Sequence, residues 1–421
     1  MSGPLTLGRR SEQALVGLDI QPGFVAAVKA HVNGGIRAER AAAAALPADV
    51  VRDGEVMDEV ALSDALRELF AMSRLDKRVR VGVANQRTVL RTLELPPVTD
   101  PKDLAAAVNF QAQDQVPMPL GNAVMDFHPL GIVDTPSGPR QRVVLVAAQR
   151  DMIERLLTAV RNAGLTAGGV DLSAFALIRS LHRADPEQTG RVLYLNVDGL
   201  TNLAIAEGTI CRFTRVVGGG LEAMAGEIAE RRSIALNEAR GLLASVDLRT
   251  PASAEPTPPA DEQAESVAGA SGQTHEPAPG EAEAQAGDGQ PAPQSLEQAE
   301  ASERAMSYEE LADLEGAPAP DAVQSDADLR AVLENGIRDI SGEVRNSLDF
   351  HRSQEGGGEV SHVVMSGAAQ SIPGFVEALA QSLGVEVRGG EVRLLDGGGA
   401  ATLSPHRLAI ATGLAAAEAP Q

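Results

Sequence analysis

The chain has 421 residues, 43% of them hydrophobic, and a formal net charge of −22 at pH 7. This length predicts two or more domains, and the negative charge argues against nucleic-acid binding, because phosphate backbones repel acidic surfaces. Cys211 is the only cysteine, which excludes an internal disulfide and a multi-cysteine metal site, and its apolar surroundings favour a buried side chain over a reactive thiol.

The N-terminal residues Met1 to Arg10 are not followed by an apolar stretch of the length that a signal peptide needs. No run in the sequence approaches the roughly 20 apolar residues that cross a bilayer as a helix. We therefore expect a soluble, cytoplasmic protein without a membrane span.

The first elements are strands. Ala14 to Ile20 reads as a buried strand, and two further strands, FVAAVKAHV and IRAERAAAAAL, flank the turn Asn33-Gly34-Gly35. The spacing of apolar residues then predicts a helix from about Asp58 to Met72.

A second group begins with the strands VRVGVA and TVLRTLEL. Asp100 is a good N-cap and Pro101 suits a first helical turn, so a helix is expected from there to about Gln115. Leu104, Val108 and Phe110 are predicted to face inward from it.

The next predicted elements complete this group and lead out of it. They are strands at Val124 to Val133 and Arg142 to Ala148, a helix at Asp151 to Asn162, a strand at Thr166 to Val170 and a helix at Leu172 to His182.

The opening pattern then recurs. Arg191 to Gly199 reads as a buried strand that ends in a turn, and NLAIAE, the Gly208 turn and ICRFTRVV follow. The two blocks lie about 175 residues apart, which indicates a duplicated domain. The mixture of strands and helices favours an α/β fold class.

The segment Pro251 to Asp328 has a different composition. It carries 18 acidic residues against one basic residue, Arg304, so its net charge is −17 and the rest of the chain holds −5. Its Pro, Ala, Glu and Gln content offers too little apolar surface to offset the entropy of ordering, so we predict a disordered acidic insertion.

The pairing of GLDIQPGFVAAVK with LNVDGLTNLAI resembles the two phosphate-binding hairpins of actin-like, sugar-kinase-like and Hsp70-like ATPases. Glycine at such a tip lets backbone N–H groups approach an anion. The resemblance implies a two-lobed actin-like, ribonuclease H-like fold in which the two tips face each other across a cleft.

Further stretches narrow the resemblance to the PilM-like type IV pilus assembly proteins, in the branch shared with FtsA. RTLELPPVTDPKDLAAAVNFQAQDQVPMPL resembles their small subdomain, and VVGGGLEAMAGEIAERRSIALNEARGLL resembles the glycine turn and two helices after their second hairpin. Ser347 to His351 matches the end of their long helix, and MSGAAQSIPGFVEALAQSLGVEV matches their adenosine-contacting turn.

This resemblance implies a division of the chain into seven parts. The first lobe comprises residues 14–77 and 151–189, with a small subdomain inserted at 78–150. The second lobe comprises 190–250 and 329–400, interrupted by the acidic insertion at 251–328, and a C-terminal helix at 401–421 returns to the first lobe.

The resemblance also implies a site for ATP and Mg²⁺, with Asp19 and Asp198 holding the metal through water. The residues that align with the nucleotide-contacting positions are Asp19, Gln21, Gly23, Lys29, Asn196, Asp198, Gly199, Thr201, Asn202, Gly218, Gly219, Gly220, Ser366, Gly367 and Ala368. Pro22 removes one phosphate-facing N–H from the first tip. Asn196-Val197-Asp198 replaces the usual Asp-Ile-Gly of the second tip, and the adenosine turn has alanines at 368 and 369.

The function that the resemblance implies is a cytoplasmic scaffold of the type IV pilus, or of a related type II secretion system. It would bind the N-terminal tail of a PilN-like bitopic membrane protein and contact assembly ATPases and a platform protein. Three hypotheses remain open: a scaffold that binds ATP as a structural or switching ligand with slow hydrolysis at most, a degenerate relative without nucleotide binding, and a sugar-kinase-type phosphotransferase. No catalytic residue for metabolic substrates is identifiable.

Overall fold

The computed structural model describes residues 15–32, 35–183, 190–249, 320–354, 356–395 and 404–416. The Asn33-Gly34 part of the predicted turn and nearly all of the predicted insertion lie outside these residues. Within the described ranges, no helix combines the length and apolar character needed to cross a bilayer.

The first part of the chain builds one side of a large sheet. Its elements are β1 (Val16–Gln21), β2 (Phe24–Val32), β3 (Ile36–Ala45), β4 (Val51–Arg52), β5 (Glu55–Val56), α1 (Glu59–Ser73) and β6 (Arg78–Val83). The strand β1 pairs antiparallel with β2 and parallel with β6, and β2 pairs antiparallel with β3. Asp58 caps α1 by accepting bonds from Val60 N and Ala61 N.

A small three-stranded sheet follows, with one helix against it. Its elements are β7 (Val89–Leu95), α2 (Pro101–Gln115), β8 (Ala123–Thr135) and β9 (Gly138–Gln149), in the sheet order β7-β9-β8. Asp100 caps α2 as predicted, with its carboxylate accepting from Lys102 N.

Phe110 on α2 faces solvent, although the sequence predicted that it faces inward. Leu104, Val108 and Ala112 are buried, but Phe110 is 71% exposed. Successive helical residues are rotated by about 100°, so a residue two positions after Val108 lies on the opposite face. The prediction that Phe110 faces inward is therefore wrong.

The chain then returns to the large sheet through α3 (Arg150–Asn162), β10 (Thr166–Leu172) and α4 (Ser173–Leu181). The complete sheet has the order β10-β6-β1-β2-β3-β16, where β16 (Arg393–Leu394) is a short C-terminal strand. We call this sheet and its helices the first lobe.

The second lobe is built on another sheet. Its elements are β11 (Arg191–Val197), β12 (Thr201–Glu207), β13 (Ile210–Val217), α5 (Leu221–Arg232), α6 (Leu236–Ser245), α7 (Pro320–Ser353), β14 (Val360–Ser366), α8 (Phe375–Leu383) and β15 (Val387–Gly389). The order β13-β12-β11-β14-β15 has the same arrangement as β3-β2-β1-β6-β10. In both, a three-strand antiparallel meander continues into parallel strands, so the predicted duplication is confirmed.

The chain ends by returning to the first lobe. After β16 (Arg393–Leu394), a 3₁₀ turn at Pro405–Leu408 leads into α9 (Ala409–Ala415), which packs against β1 and α4. An apolar layer between the two sheets contains residues of β2, α4, β11, β12 and α9, among them Val28, Leu177, Tyr194, Ala204 and Leu414. Cys211 lies in the same layer, and burial raises the pKa of its thiol to about 12, as expected for a structural cysteine.

Candidate functional site

The tips of the two equivalent hairpins, β1–β2 and β11–β12, meet between the lobes. A side-chain carbon built on Gly199 in the second tip would lie 2.2 Å from the carbonyl oxygen of Pro22 in the first. One built on Gly220 would lie 2.5 Å from the carbonyl oxygen of Asp198. The Gly199 approach shows that the two tips face each other, whereas the Gly220 approach lies within the second lobe. Both positions require glycine, because a side chain there would clash with a backbone oxygen.

Both oxygens of the Asp198 carboxylate are fully engaged. Arg407 donates from Nε to Oδ2 at 2.8 Å and from Nη2 to Oδ1 at 2.7 Å. The backbone N–H groups of Ala368 and Gly199 donate to Oδ2 at 3.0 Å and to Oδ1 at 3.1 Å. Each oxygen thus accepts two bonds, which satisfies the lone pairs that a metal-bound water would otherwise use.

Arg407 also contacts the first hairpin. Its guanidinium carbon lies 3.6 Å from the centre of the Phe24 ring, at the start of β2. Guanidinium groups are attracted to the negative face of an aromatic ring, so this contact adds to the ion pair with Asp198. A single side chain therefore touches both hairpins.

The carboxylate of Asp19 lies at the end of β1 and is only 2% exposed. Burial raises its pKa from 3.8 to about 7, and the nearby charge of Asp198 acts in the same direction. The hydrogen bond from Gln21 Nε2, at 2.8 Å, and the positive charge of Arg407 oppose this rise. The oxygen Oε1 of Gln21 is buried with no partner in the described part of the chain.

A cavity of about 430 Å³ lies between the lobes beside this cluster. On one wall, Arg240 donates from Nε to Glu222 at 2.8 Å and reaches the carbonyl of Leu46 in the first lobe at 3.4 Å. Four of the residues predicted as nucleotide contacts line the cavity: Gly23, Asp198, Gly199 and Ala368.

The other predicted residues lie outside the cavity lining. Lys29 is at the far end of the β1–β2 hairpin, where it pairs with Val16 and its ammonium group contacts Glu39 at 3.6 Å and Asp76 at 3.8 Å. The structure does not bring it to the hairpin tips. Its position follows from the strand register, which places residues after Val28 progressively farther from the turn.

Four polar residues of the second hairpin region are buried within the sheet. Ser366 donates to Asn196 across β14 and β11 at 3.0 Å. Thr201 and Asn202 are buried, and their side-chain polar atoms have no partner among the described residues. We interpret these four as structural groups of the second lobe.

The three glycines at positions 218 to 220 lie just before α5, next to the second tip. Gly220 is the N-cap of α5, and Leu221 N donates to the carbonyl of Asp198 at 2.8 Å. A carbon built on Gly218 would lie 2.4 Å from the side chain of Gln86, which follows β6, whereas Gly219 has open space around it. Gly367 has a positive φ of 95°, and its N–H donates to the carbonyl of His406 at 3.1 Å.

A metal-bound nucleotide does not fit this arrangement of side chains. Asp198 already holds a guanidinium cation, Pro22 presents no N–H, and the two tips are in contact where phosphates would separate them. Within the described ranges, no three His, Cys, Asp or Glu side chains cluster in a way that could hold a metal ion. Binding of Mg²⁺ and ATP would first require Arg407 to leave Asp198.

A larger cavity, of about 680 Å³, lies elsewhere and contains none of the predicted contacts. Its polar residues are engaged with the protein: His182 Nδ1 lies 3.1 Å from the Tyr194 hydroxyl, and Arg183 donates to the carbonyls of Ser180 and Glu391. We therefore place the candidate site at the hairpin tips.

Sequence reasoning missed the residues that complete this site. They are Phe24, Glu222, Arg240, Ser371 and Arg407, of which the first four lie in stretches that carry the resemblance but were not singled out. The C-terminal segment offered one signal, because an arginine at the start of an otherwise apolar helix needs an acidic partner when that helix is buried.

Comparisons with known proteins show the family and the fold. The family model of the type IV pilus assembly protein PilM matches residues 17–239. A solved structure described as a PilM–PilN type IV pilus biogenesis complex is 18% identical, with a TM-score of 0.66 over 96% of this chain and 97% of that one. At this identity the match shows the two-lobed α/β fold alone.

Two other solved structures have lower scores. The ethanolamine utilization protein EutJ from Carboxydothermus hydrogenoformans is 14% identical, with a TM-score of 0.45 over 95% of this chain and 88% of that one. MreB5 of Spiroplasma citri bound to AMPPNP is 12% identical, with a TM-score of 0.43 over 95% and 94%. These scores are too low to support an argument about the present chain.

Proposed function

Because the chain belongs to the family of the type IV pilus assembly protein PilM, we propose that it is a scaffold of the pilus assembly complex at the cytoplasmic face of the inner membrane. The observation that carries this proposal is the family match, which spans more than half of the chain. A type II secretion complex of related architecture is the other system that such a scaffold would serve.

The proposed partner is the N-terminal cytoplasmic tail of a PilN-like bitopic membrane protein. The similar structure is named as a PilM–PilN complex, which supports a partner of this kind. In this proposal the tail holds the scaffold at the membrane, and the scaffold in turn contacts the assembly ATPases and the platform protein. Its role is binding rather than turnover, since Asp198 is already bonded to a side chain of the chain itself.

The surface that we propose for the tail is the face of α2 turned away from the small sheet, opposite the buried Leu104, Val108 and Ala112. Phe110 on α2 is 71% exposed, and an exposed aromatic side chain of this size is a frequent anchor for a partner.

Replacing Phe110 by alanine is expected to weaken binding of the tail about tenfold, which corresponds to about 1.4 kcal/mol. The measurement is fluorescence anisotropy with a labelled peptide of the PilN-like tail encoded in the same genome. The melting temperature should stay unchanged, because the ring contributes little to the core.

Met72→Ala is the matched control. Met72 is 70% exposed on α1, outside the small sheet, so its removal should not change the affinity. If the wild-type chain fails to bind the peptide at all, the scaffold proposal is wrong. If the wild-type chain binds the peptide but Phe110→Ala and Met72→Ala have the same affinity for it, the tail occupies a different surface.

A further inference from the structure

We propose that Arg407 is a built-in substitute for the metal ion of a bound nucleotide: its guanidinium group supplies the positive charge that links the two lobes. The chain would then hold its hairpin tips together without Mg²⁺ and ATP. This inference rests on the contacts of one side chain and does not depend on the pilus role.

Arg407 forms a two-pronged ion pair with Asp198. Two parallel N–H donors of one guanidinium meet two oxygens of one carboxylate at 2.7 and 2.8 Å, which is the strongest common geometry for such a pair. The Asp198 side chain is 5% exposed, so solvent screens the attraction weakly. A carboxylate that binds a protein cation in this way has no free oxygen for a metal-bound water.

Arg407 is attached to the first lobe through α9, the helix that follows it. It lies in the 3₁₀ turn at Pro405–Leu408, which continues directly into α9. Leu408 and Leu414 are buried in the apolar layer with α4, and α9 packs against β1. The chain that follows Arg407 is therefore packed on the first lobe, while the Arg407 side chain ends on Asp198 of the second.

The neighbouring residue, His406, is hydrogen-bonded to the turn that follows β14 in the second lobe. The carbonyl of His406 accepts from Gly367 N at 3.1 Å, and His406 Nε2 lies 2.6 Å from the Ser371 hydroxyl. Gly367 lies in the turn in which the sequence predicts adenosine contacts, and Ser371 follows that turn. Residue 407 is thus bonded to the predicted phosphate end of the site, and residue 406 is bonded to the predicted adenosine turn.

Calorimetry and ligand titration of the full chain test this inference. The variants are Arg407→Ala, Arg407→Lys, Asp198→Asn and the double variant Arg407→Ala with Asp198→Asn. Arg142→Ala is the control, since Arg142 forms a more exposed, single-contact pair with Glu94, at 2.9 Å, on the small sheet. The probes are the melting temperature with and without millimolar Mg²⁺-ATP, and a titration with a fluorescent ATP analogue.

We expect the wild-type melting temperature to be unchanged by Mg²⁺-ATP, because a ligand that does not bind the folded state does not stabilise it. Arg407→Ala should lower the melting temperature by several degrees, and much less so in the Asp198→Asn background, because the two side chains act as one unit. Arg407→Lys should fall between wild type and alanine, since an ammonium group keeps the charge without the two-pronged contact. Arg142→Ala should cause a small change only.

Either of two results would overturn the inference. One is saturable binding of Mg²⁺-ATP by the wild-type chain with a rise in melting temperature. The other is that the changes at Arg407 and Asp198 lower the melting temperature additively, which would mean that the pair does not hold the lobes together. If Arg407→Ala does not fold, the same comparison is made with Arg407→Lys, introduced into the wild-type chain and into the Asp198→Asn variant.

Discussion

Replacing Gly413 by valine is expected to reduce the free energy of unfolding by at least about 3 kcal/mol, the upper range for an overpacked core. Gly413 lies in α9, which crosses α4 at very short distance. A side-chain carbon built on Gly413 would lie 1.8 Å from the carbonyl oxygen of Ala176. The atom that the new side chain meets belongs to the backbone of α4, so no side-chain rotation relieves the clash. The helices α9 and α4 must therefore separate.

The same helix is fixed equally tightly on its other side. A carbon built on Gly17 in β1 would lie 1.8 Å from the carbonyl oxygen of Ala411 and 2.5 Å from the backbone nitrogen of Ala415. A displacement of α9 away from α4 is therefore blocked by β1. Because Arg407 directly precedes this helix, we expect Gly413→Val to disturb the link between the lobes as well.

Urea unfolding followed by circular dichroism measures the effect of Gly413→Val. The control is Gly241→Ala in the exposed part of α6, where a built carbon meets nothing within 4 Å. That change should raise stability by about 0.5–1 kcal/mol, because alanine favours the helix over glycine. Opposite signs for the two substitutions are the expected outcome. A Gly413→Val variant as stable as wild type would contradict the close packing of α9 against α4.

Asp19→Asn is expected to make the chain more stable at pH 8, by up to about 4 kcal/mol. The physical reason is that burial disfavours the charged carboxylate and raises its pKa from 3.8 to about 7. The asparagine amide has the same shape and no charge. Its Nδ2 group can donate to Gln21 Oε1, which is buried without a partner in the described structure.

The sign of the pH dependence follows from the raised pKa. Between about pH 4 and pH 7 the folded state binds the Asp19 proton more tightly than the unfolded state does. This carboxyl group therefore makes the wild-type chain less stable as the pH rises through that window, and its destabilising effect is constant above it. The asparagine variant lacks this loss.

Unfolding curves of both chains from pH 4 to pH 8 test this prediction. The difference between Asp19→Asn and wild type should be near zero at pH 4 and grow to its maximum above pH 7. Asp114→Asn, at an exposed carboxylate of α2, serves as the control and should follow the wild-type profile. A difference that stays the same at every pH would show that Asp19 is not titrating in this range.

Much of the fold was predictable because its signals are local. Asp100 and Pro101 mark the start of α2 in the sequence, and the structure confirms the cap. The recurrence of a strand and hairpin near Asp19 and Asp198 predicts the duplication, which the equal strand orders of the two sheets confirm. Phe110 was placed wrongly because its apolar character was given more weight than its spacing: two positions after Val108, it lies on the other face of the helix.

The sequence by itself determined the α/β class, the duplicated hairpins and the family, since each depends on patterns of a few neighbouring residues or on motifs in a fixed order. Only the tertiary structure decided what occupies the cleft. Arg407 and Asp198 lie 209 positions apart, and an ion pair has no sequence spacing of its own. Their contact exists because α9 packs onto β1 and carries the preceding arginine to the second hairpin. The register of β1 and β2 similarly decided that Lys29 lies away from the tips.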